Sequence, residues 1–369
     1  MGGVFEQAVI IGVGLIGGSL GMAIRKHRLA KRVVGIDRDA QSLALAQELG
    51  AVDTGDTEYA AVKDGDLVIL AAPISANLAI LEKVSPWLAP QALITDVGST
   101  KGEFVTHAEQ ILAGRNQFVG GHPMAGAEKG GVRRADPYLF ENAYYILTPT
   151  EQTAPQALAA MEELVKGIGA KPMLLDPKTH DLIVAAISHL PHLAAAALVQ
   201  AAAAIDAEYP VTLALAAGGF KDTTRIASGD PGLWREICFS NKEQIITMID
   251  RFVGYLGAMR QALAGDRELE FVDQLAKAKT VRDQIPAKMK GYWPFLDEVI
   301  VTIPDRPGTI GEVAAILGGA SINIDDIEIL RVREGEGGSL RLGFAKPGAA
   351  AAAVRALKEQ GFAAWLRNG

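Results

Sequence analysis

A single cysteine, Cys238, stands among 369 residues. That leaves no internal disulfide and no cysteine-clustered metal site. Cys238 lies in Glu236-Ile237-Cys238-Phe239, which reads as a buried helix turn where a thiol packs as a small hydrophobe. Basic charge is scarce as well: 36 lysines and arginines face 43 aspartates and glutamates, a formal net charge of −7. Nucleic-acid binding needs a basic footprint that this balance lacks, so no nucleic-acid partner is expected, and an anionic substrate would rely on a few locally placed arginines. Long hydrophobic runs are missing too. No basic segment followed by an apolar stretch opens the chain. The most apolar segment, Leu193 to Ile205, is shorter than the roughly 20 residues of a membrane span. A cytoplasmic protein with no membrane partner is the expectation.

What is present describes a folded chain: 49% hydrophobic and 21% charged residues. At 369 residues it exceeds one ordinary core, so two or three domains are expected. Residues 1–175 alternate β-branched runs with amphipathic stretches. The strand candidates are Ala8–Ile11, Arg32–Ile36, Leu67–Leu70, Leu93–Thr95, Phe118–Val119 and Tyr144–Leu147. Such alternation predicts a parallel sheet covered by helices, an α/β domain. A helix over Pro155 to Ile168 and the run Met173–Leu175 close it.

The pattern changes at Asp176-Pro177, a good N-cap followed by a good first helical residue. Residues 176–290 then read as an all-helical second domain. Helix starts are expected at Asp230-Pro231 and at Ser240, whose Glu243 three positions on completes a capping box. Long helices follow from Asn241 to Leu263 and from Arg267 to Ile285. The alanine-rich run from 194 to 204 allows close helix approach, which suits either a subunit interface or a tight internal bundle. Strands return in residues 297–369: Val299–Ile303, Ile322–Arg331, Leu340–Phe344 and Ala363–Leu366, with helices from Pro307 to Leu317 and Ala349 to Gln360. That order is βαββαβ, the ferredoxin-like arrangement.

The strongest local motif is Gly12-Val13-Gly14-Leu15-Ile16-Gly17. It follows the strand Val9-Ile10-Ile11 and opens a helix-compatible run, the context of a Rossmann dinucleotide site. The helix N-terminus there presents free N–H groups to a pyrophosphate. Asp37 ends the second strand 20 residues after Gly17, where a carboxylate accepts from the adenosine ribose and selects NAD over NADP. Arg38 beside it is the counter-indication, since it can pair with a 2′-phosphate. Ala72 and Pro73 end the next strand and are placed beside the nicotinamide half.

Ligands of an open parallel sheet bind beyond the carboxyl ends of its strands. Two polar segments sit at such ends: Asp96 to Lys101, containing Ser99, and Gly120-Gly121-His122-Pro123-Met124. A hydroxyl that loses hydride needs a base of near-neutral pKa, and histidine is that residue. His122 is the candidate. The helical domain adds Ser188-His189-Leu190-Pro191-His192, where Pro191 cannot donate to the Ile187 carbonyl and should interrupt the helix. It also adds Gly218-Gly219-Phe220-Lys221-Asp222-Thr223-Thr224-Arg225. Arg225 suits either bidentate carboxylate binding or a domain-tying salt bridge.

In order and spacing, these strings resemble the prephenate dehydrogenase family across roughly residues 7 to 285. The resemblance implies oxidation of a ring hydroxyl on a cyclohexadienyl dicarboxylate, prephenate, with NAD as acceptor and loss of the ring carboxylate as CO2. It makes His122 the catalytic base and Ser99 the residue that orients it. Arg225 becomes the substrate-carboxylate arginine, His192 a substrate-pocket histidine, and Asp222 and Glu128 pocket or gating positions; His189 is left as support. A homodimer built on the helical domain is implied too. Ile303-Pro304-Asp305-Arg306-Pro307-Gly308 and Ile322-Asn323-Ile324 resemble an ACT domain, which implies an effector site near Asp305, Arg306, Pro307, Gly308 and Asn323, with tyrosine as feedback effector; a purely dimer-stabilising domain is the alternative. Arogenate, the amino analogue, fits the same clamp. A β-hydroxy-acid dehydrogenase would use a helical lysine instead of this cluster, and a non-catalytic NAD-binding sensor would need none of it.

Overall fold

The β-branched runs of the N-terminal segment form one sheet of eight strands. The structure, a computed structural model, describes residues 5–126, 130–285, 297–304, 306–333 and 337–366. The chain divides into two compact units, residues 1–290 and 291–369. In the first unit the strands are β1 (Phe5–Ile11), β2 (Ala30–Ile36), β3 (Thr54–Asp56), β4 (Leu67–Leu70), β5 (Leu93–Asp96), β6 (Gln117–Pro123), β7 (Tyr144–Thr148) and β8 (Lys171–Leu174), in spatial order β3-β2-β1-β4-β5-β6-β7-β8. The helices α1 (Leu15–Lys26), α2 (Ala40–Glu48), α3 (Ile74–Val84), α4 (Gly102–Leu112) and α5 (Pro155–Gly167) connect them.

Both faces of this sheet are buried, which is why the strands read as unbroken apolar runs. Ala8 and Ile10 of β1 enter one core with Leu20, Ile24 and Leu164. Val9 and Ile11 enter the other with Leu81 and Phe104. Six of the seven pairings are parallel, and β6 with β7 is antiparallel. The sheet is otherwise parallel as expected; between β6 and β7 the described residues hold only a short 3₁₀ turn, Val132–Arg134, and no crossover helix that would restore direction. β3 is a further strand that the periodicity does not reveal, because it is only 3 residues long.

The helical segment packs into the same unit as α6 (Pro177–Val184), α7 (Leu190–Asp206), α8 (Gly218–Thr224), α9 (Pro231–Ser240), α10 (Lys242–Ala264) and α11 (Glu268–Gln284). Asp176 caps α6 by accepting from Lys178 N and Thr179 N, and Asp230 caps α9 by accepting from Leu233 N. The expected capping box at Ser240 does not form. Ser240 closes α9, donates to the Ile237 carbonyl and accepts from Thr100 Oγ1 at 2.9 Å, so its hydroxyl is occupied by the sheet domain. Between α6 and α7 the interruption expected at Pro191 takes the form of a π turn, Ala185–His189, a wide turn common at functional sites. Taken through that turn, Pro177–Asp206 is long and apolar enough by length and composition to cross a membrane, which revises the expectation drawn from its alanine-rich half alone. It buries His180, Asp181, His189 and His192, however, against the protein. Cys238 is half-buried in α9, and burial pushes its thiol up.

The C-terminal unit holds β9 (Asp297–Ile303), α12 (Thr309–Gly319), β10 (Asp326–Arg333), β11 (Gly337–Phe344), α13 (Ala349–Glu359) and β12 (Ala364–Leu366), the expected βαββαβ order. Its strands run antiparallel in the order β10-β11-β9-β12. Leu340, Leu342 and Phe344 of β11 pack with Val313 and Leu357 of the helices. Arg341, between them in sequence, therefore lies on the opposite face. It is 1% exposed and is gripped by Glu298, Asp326 and Glu328 at 2.6, 2.6 and 2.7 Å. Replacing it leaves three carboxylates facing one another without a cation. Arg341→Met is expected to destabilise this unit by about 1–3 kcal/mol, read as faster proteolysis of the C-terminal unit in the full chain; unchanged proteolysis would show that the carboxylates are relaxed by water alone.

Candidate active site

The glycine turn does what its spacing demands. Gly12 has φ +100°, and a Cβ on it would stand 2.6 Å from the Ala71 backbone; one on Gly17 would stand 2.0 Å from the Gly12 carbonyl oxygen. Gly14, by contrast, faces open space. It is the N-cap of α1, with no side chain closing that helix end, so bare N–H groups meet an approachable backbone. A cleft of about 530 Å³ lies alongside, lined by Gly12, Gly14, Asp37, Arg38, Ala72 and Pro73. Asp37 accepts from Val13 N and Asp39 N, both at 3.0 Å, which pins its carboxylate at the cleft. Leu15 and Ile16 begin α1 and turn into the core side rather than into the cleft lining. An uncapped helix end, an open Gly14 and an acceptor at the ribose position fit a dinucleotide.

Next along the sheet, the ends of β5 and β6 are locked together. Asp96 accepts from Gly98 N at 2.8 Å and Gly121 N at 3.2 Å and forms an ion pair with Lys101. Asp96 and Lys101 are both buried. Burial pulls the Lys101 ammonium below its ordinary value while Asp96 pushes it back up. The glycine pair before His122 is needed for this closeness, since a Cβ on Gly121 would stand 2.6 Å from the Asp96 carbonyl oxygen. Ser99 sits half-buried on the turn between Asp96 and α4.

His122 leaves the end of β6 and meets the helical segment. Its Nδ1 is 2.8 Å from His180 Nε2, and His180 Nδ1 is 2.8 Å from Asp181 Oδ1. Asp181 also accepts from Lys101 N at 2.8 Å and Gly102 N at 2.7 Å. Burial first, then the neighbouring His180, Lys101 and His189, hold the His122 pKa well below 6.5. His189 is lowered to about 4, again mainly by burial. It lies 3.3 Å from Asn241 Nδ2, which donates to the Asp181 carbonyl at 2.7 Å.

His192 belongs to a second group. It stacks on Trp234 with ring centroids 3.6 Å apart and planes at 14°, and His189 meets the same indole edge-on at 6.1 Å. His192 Nδ1 is buried without a hydrogen-bond partner among the described residues, a costly state unless something else supplies one. Arg225 opens the short turn Arg225–Ser228, which packs against α7; at its end, a Cβ on Gly229 would stand 3.1 Å from the His192 ring. Asp222 is exposed on α8. Glu128 lies outside the described residues, as does Asp305 of the C-terminal unit. In that unit Arg306 pairs with Glu312 at 2.9 Å, Gly308 has φ +92° at the N-cap of α12 after Pro307, and Asn323 donates to Asp325 at 2.7 Å.

His122, Lys101 and Asp96 are thus brought together with His180 and Asp181, and His189 links them to Trp234 and His192. Sequence reasoning passed over His180, Asp181 and Trp234, and it gave Lys101 no role within the segment Asp96 to Lys101. The one local signal was His180-Asp181 standing just inside a capped helix start.

Comparisons with known proteins agree on one family. The prephenate dehydrogenase nucleotide-binding domain model matches residues 20–174, the prephenate dehydrogenase dimerization domain model residues 176–277, and the ACT domain model residues 298–345. The glycine turn precedes the first match and rests on its own geometry. A prephenate dehydrogenase of Bacillus subtilis is 40% identical over 341 residues, covering 92% of each chain. A crystal structure of the Aquifex aeolicus prephenate dehydrogenase in complex with hydroxyphenyl propionate and NAD+ superposes with a TM-score of 0.70 at 36% identity, covering 76% of this chain and 98% of that one. The Synechocystis arogenate dehydrogenase gives a TM-score of 0.68 at 33% identity, covering 75% and 99%.

Removing Lys101 strands Asp96 as an unpaired buried charge. Lys101→Met is expected to cost about 3–5 kcal/mol of unfolding free energy, and the double replacement with Asp96→Leu should recover part of it. Denaturant unfolding measures both; a single-variant loss below about 1 kcal/mol would mean the pair is solvated.

Proposed function

The chain belongs to the prephenate dehydrogenase family, and from that premise we propose how its own residues perform the reaction. It is an NAD-dependent oxidoreductase that oxidises prephenate with loss of CO2. Bound NAD supplies the two-electron acceptor. His122 takes the proton of the ring hydroxyl. Its burial keeps the imidazole neutral at pH 7, so a base is ready without prior deprotonation. Oxidation makes a ring ketone conjugated to the carboxylated carbon; decarboxylation then yields an aromatic ring and needs little help from the protein.

The remaining residues bind and orient. Ser99, on the turn beside His122, orients the hydroxyl and the imidazole. Arg225 clamps a substrate carboxylate in a bidentate geometry that guanidinium favours, with Asp222 as a pocket or gating residue. His192 contributes its unpartnered Nδ1 as a hydrogen-bonding site for substrate, held in place by Trp234. The observation that carries the reading is His122, half-buried at the end of β6 with Nδ1 2.8 Å from His180 Nε2, in the same sheet as the glycine-lined cleft.

Assembly and regulation follow the same reading. Leu198, Ile205, Ile246, Val253 and Tyr255 are exposed apolar side chains on α7 and α10, and the matched model of this segment is a dimerization domain; a cytoplasmic homodimer is proposed. The ACT unit is proposed to take tyrosine as feedback effector near Arg306, Pro307, Gly308 and Asn323, with Asp305 alongside.

His122→Asn should lower kcat by about 10²–10⁴-fold with NAD affinity retained; near-wild-type turnover removes its assignment as base. The acid limb of kcat/KM should lie below pH 6.5, because protonation that disables the base is shifted to lower pH. Prephenate should exceed arogenate in kcat/KM, and the reverse order overturns the substrate assignment. Tyrosine should inhibit the full chain, and Asn323→Leu should relieve inhibition with basal kcat unchanged; equal inhibition of both would place the effector elsewhere.

A further inference from the structure

His180 and Asp181 stand directly behind His122, in the rigid first turns of α6. Their side chains are almost fully buried, so their hydrogen bonds are with protein groups and the donor and acceptor roles can be assigned in turn. Asp181 accepts from Lys101 N and Gly102 N, the first N–H groups of α4. The same oxygen that takes Lys101 N also faces His180 Nδ1 at 2.8 Å. A carboxylate offers only acceptors, so His180 Nδ1 carries a hydrogen. In a neutral imidazole the other nitrogen is then an acceptor, and His180 Nε2 faces His122 Nδ1 at 2.8 Å. His122 Nδ1 must therefore donate. That leaves the lone pair of neutral His122 on Nε2.

We propose that His180 and Asp181 are positioning residues that set the tautomer of His122, so that Nε2 is the nitrogen that takes the substrate proton. The step balances simply. The substrate O–H bond breaks, an Nε2–H bond forms, and the resulting imidazolium keeps its Nδ1–H bond to His180, with the Asp181 carboxylate beyond offsetting its charge. An orienting carboxylate behind a catalytic histidine works this way in hydrolase triads; here a second imidazole is interposed. Asp181 does more than face His180. It closes the N-terminus of α4, whose N-cap Lys101 has no side-chain cap of its own, and its carbonyl is held by Asn241. The carboxylate is thus fixed by the backbone at the start of α4 and by His180 of its own helix, while Asn241 holds the backbone behind it.

The proposal rests on His122 being the base, and the test separates the two. In the full-length protein with 15N-labelled histidine, nitrogen shifts report which ring nitrogen of each histidine is protonated, without any turnover. His122 and His180 should both be in the Nδ1–H form. His122 found as Nε2–H, or His180 found as a cation, overturns the proposal even if His122→Asn is inactive. Conversely, an active His122→Asn with the expected shifts defeats the base assignment and leaves the tautomer result standing. Kinetics supply the second arm. His180→Gln keeps an acceptor oxygen and should stay within about tenfold of wild-type kcat, whereas His180→Leu should lose about 10²-fold or more, with KM and NAD affinity little changed in either. Equal losses in the two variants would mean a purely structural role and would also overturn the proposal.

Discussion

The buried ion pair of Asp96 with Lys101 is the constraint on which the arrangement around His122 depends. Asp96 is the last residue of β5, and its two oxygens bind the backbone of both flanking segments: Gly98 N on the turn that carries Ser99, and Gly121 N just before His122. Lys101 answers the carboxylate, and its own backbone N–H, with that of Gly102, holds Asp181 of α6. One line of charge-assisted bonds therefore runs from the sheet to the helical segment and fixes the group between them. Burying two charges is expensive, and a packed apolar pair often stabilises a fold equally well. The return here is chemical. A cation beside His122 helps keep its imidazole neutral, which is the state a base needs.

Much of this was visible in the chain as written. The strands could be placed because a sheet buried on both faces demands unbroken apolar runs, and Gly12 and Gly17 could be read because their backbone contacts exclude a side chain. Ser99 and His122 stood out because ligands gather at strand ends. The pairings that organise the site were not visible, since Lys101 with Asp181 and His122 with His180 are separated by 80 and 58 residues in sequence and meet only once α6 folds over β5 and β6. Trp234 escaped notice for the same reason: nothing local distinguishes an indole that stacks on His192 from one that fills a core. Ser240 misled in the opposite sense, because a capping-box pattern says nothing about a hydroxyl already bound to Thr100.

Two further features belong to the helical segment. The π turn before Pro191 lies within the run that carries His180, His189 and His192, so irregular backbone sits where side-chain direction matters most. The helical segment also leaves large apolar side chains exposed, Leu215 on the turn before α8, Phe239 on α9 and Tyr255 on α10, more than a solitary surface favours, in keeping with a family model that is a dimerization domain. The C-terminal unit keeps a separate core under its own sheet.

We propose that oxidation by NAD and decarboxylation of prephenate occur in one reaction with His122 as base. The most direct test follows NADH and CO2 together as the full-length protein consumes prephenate. Equal amounts of NADH and CO2, with 4-hydroxyphenylpyruvate as product, are the result this account predicts. CO2 release without NADH, or no consumption of prephenate while NAD is bound, would contradict it.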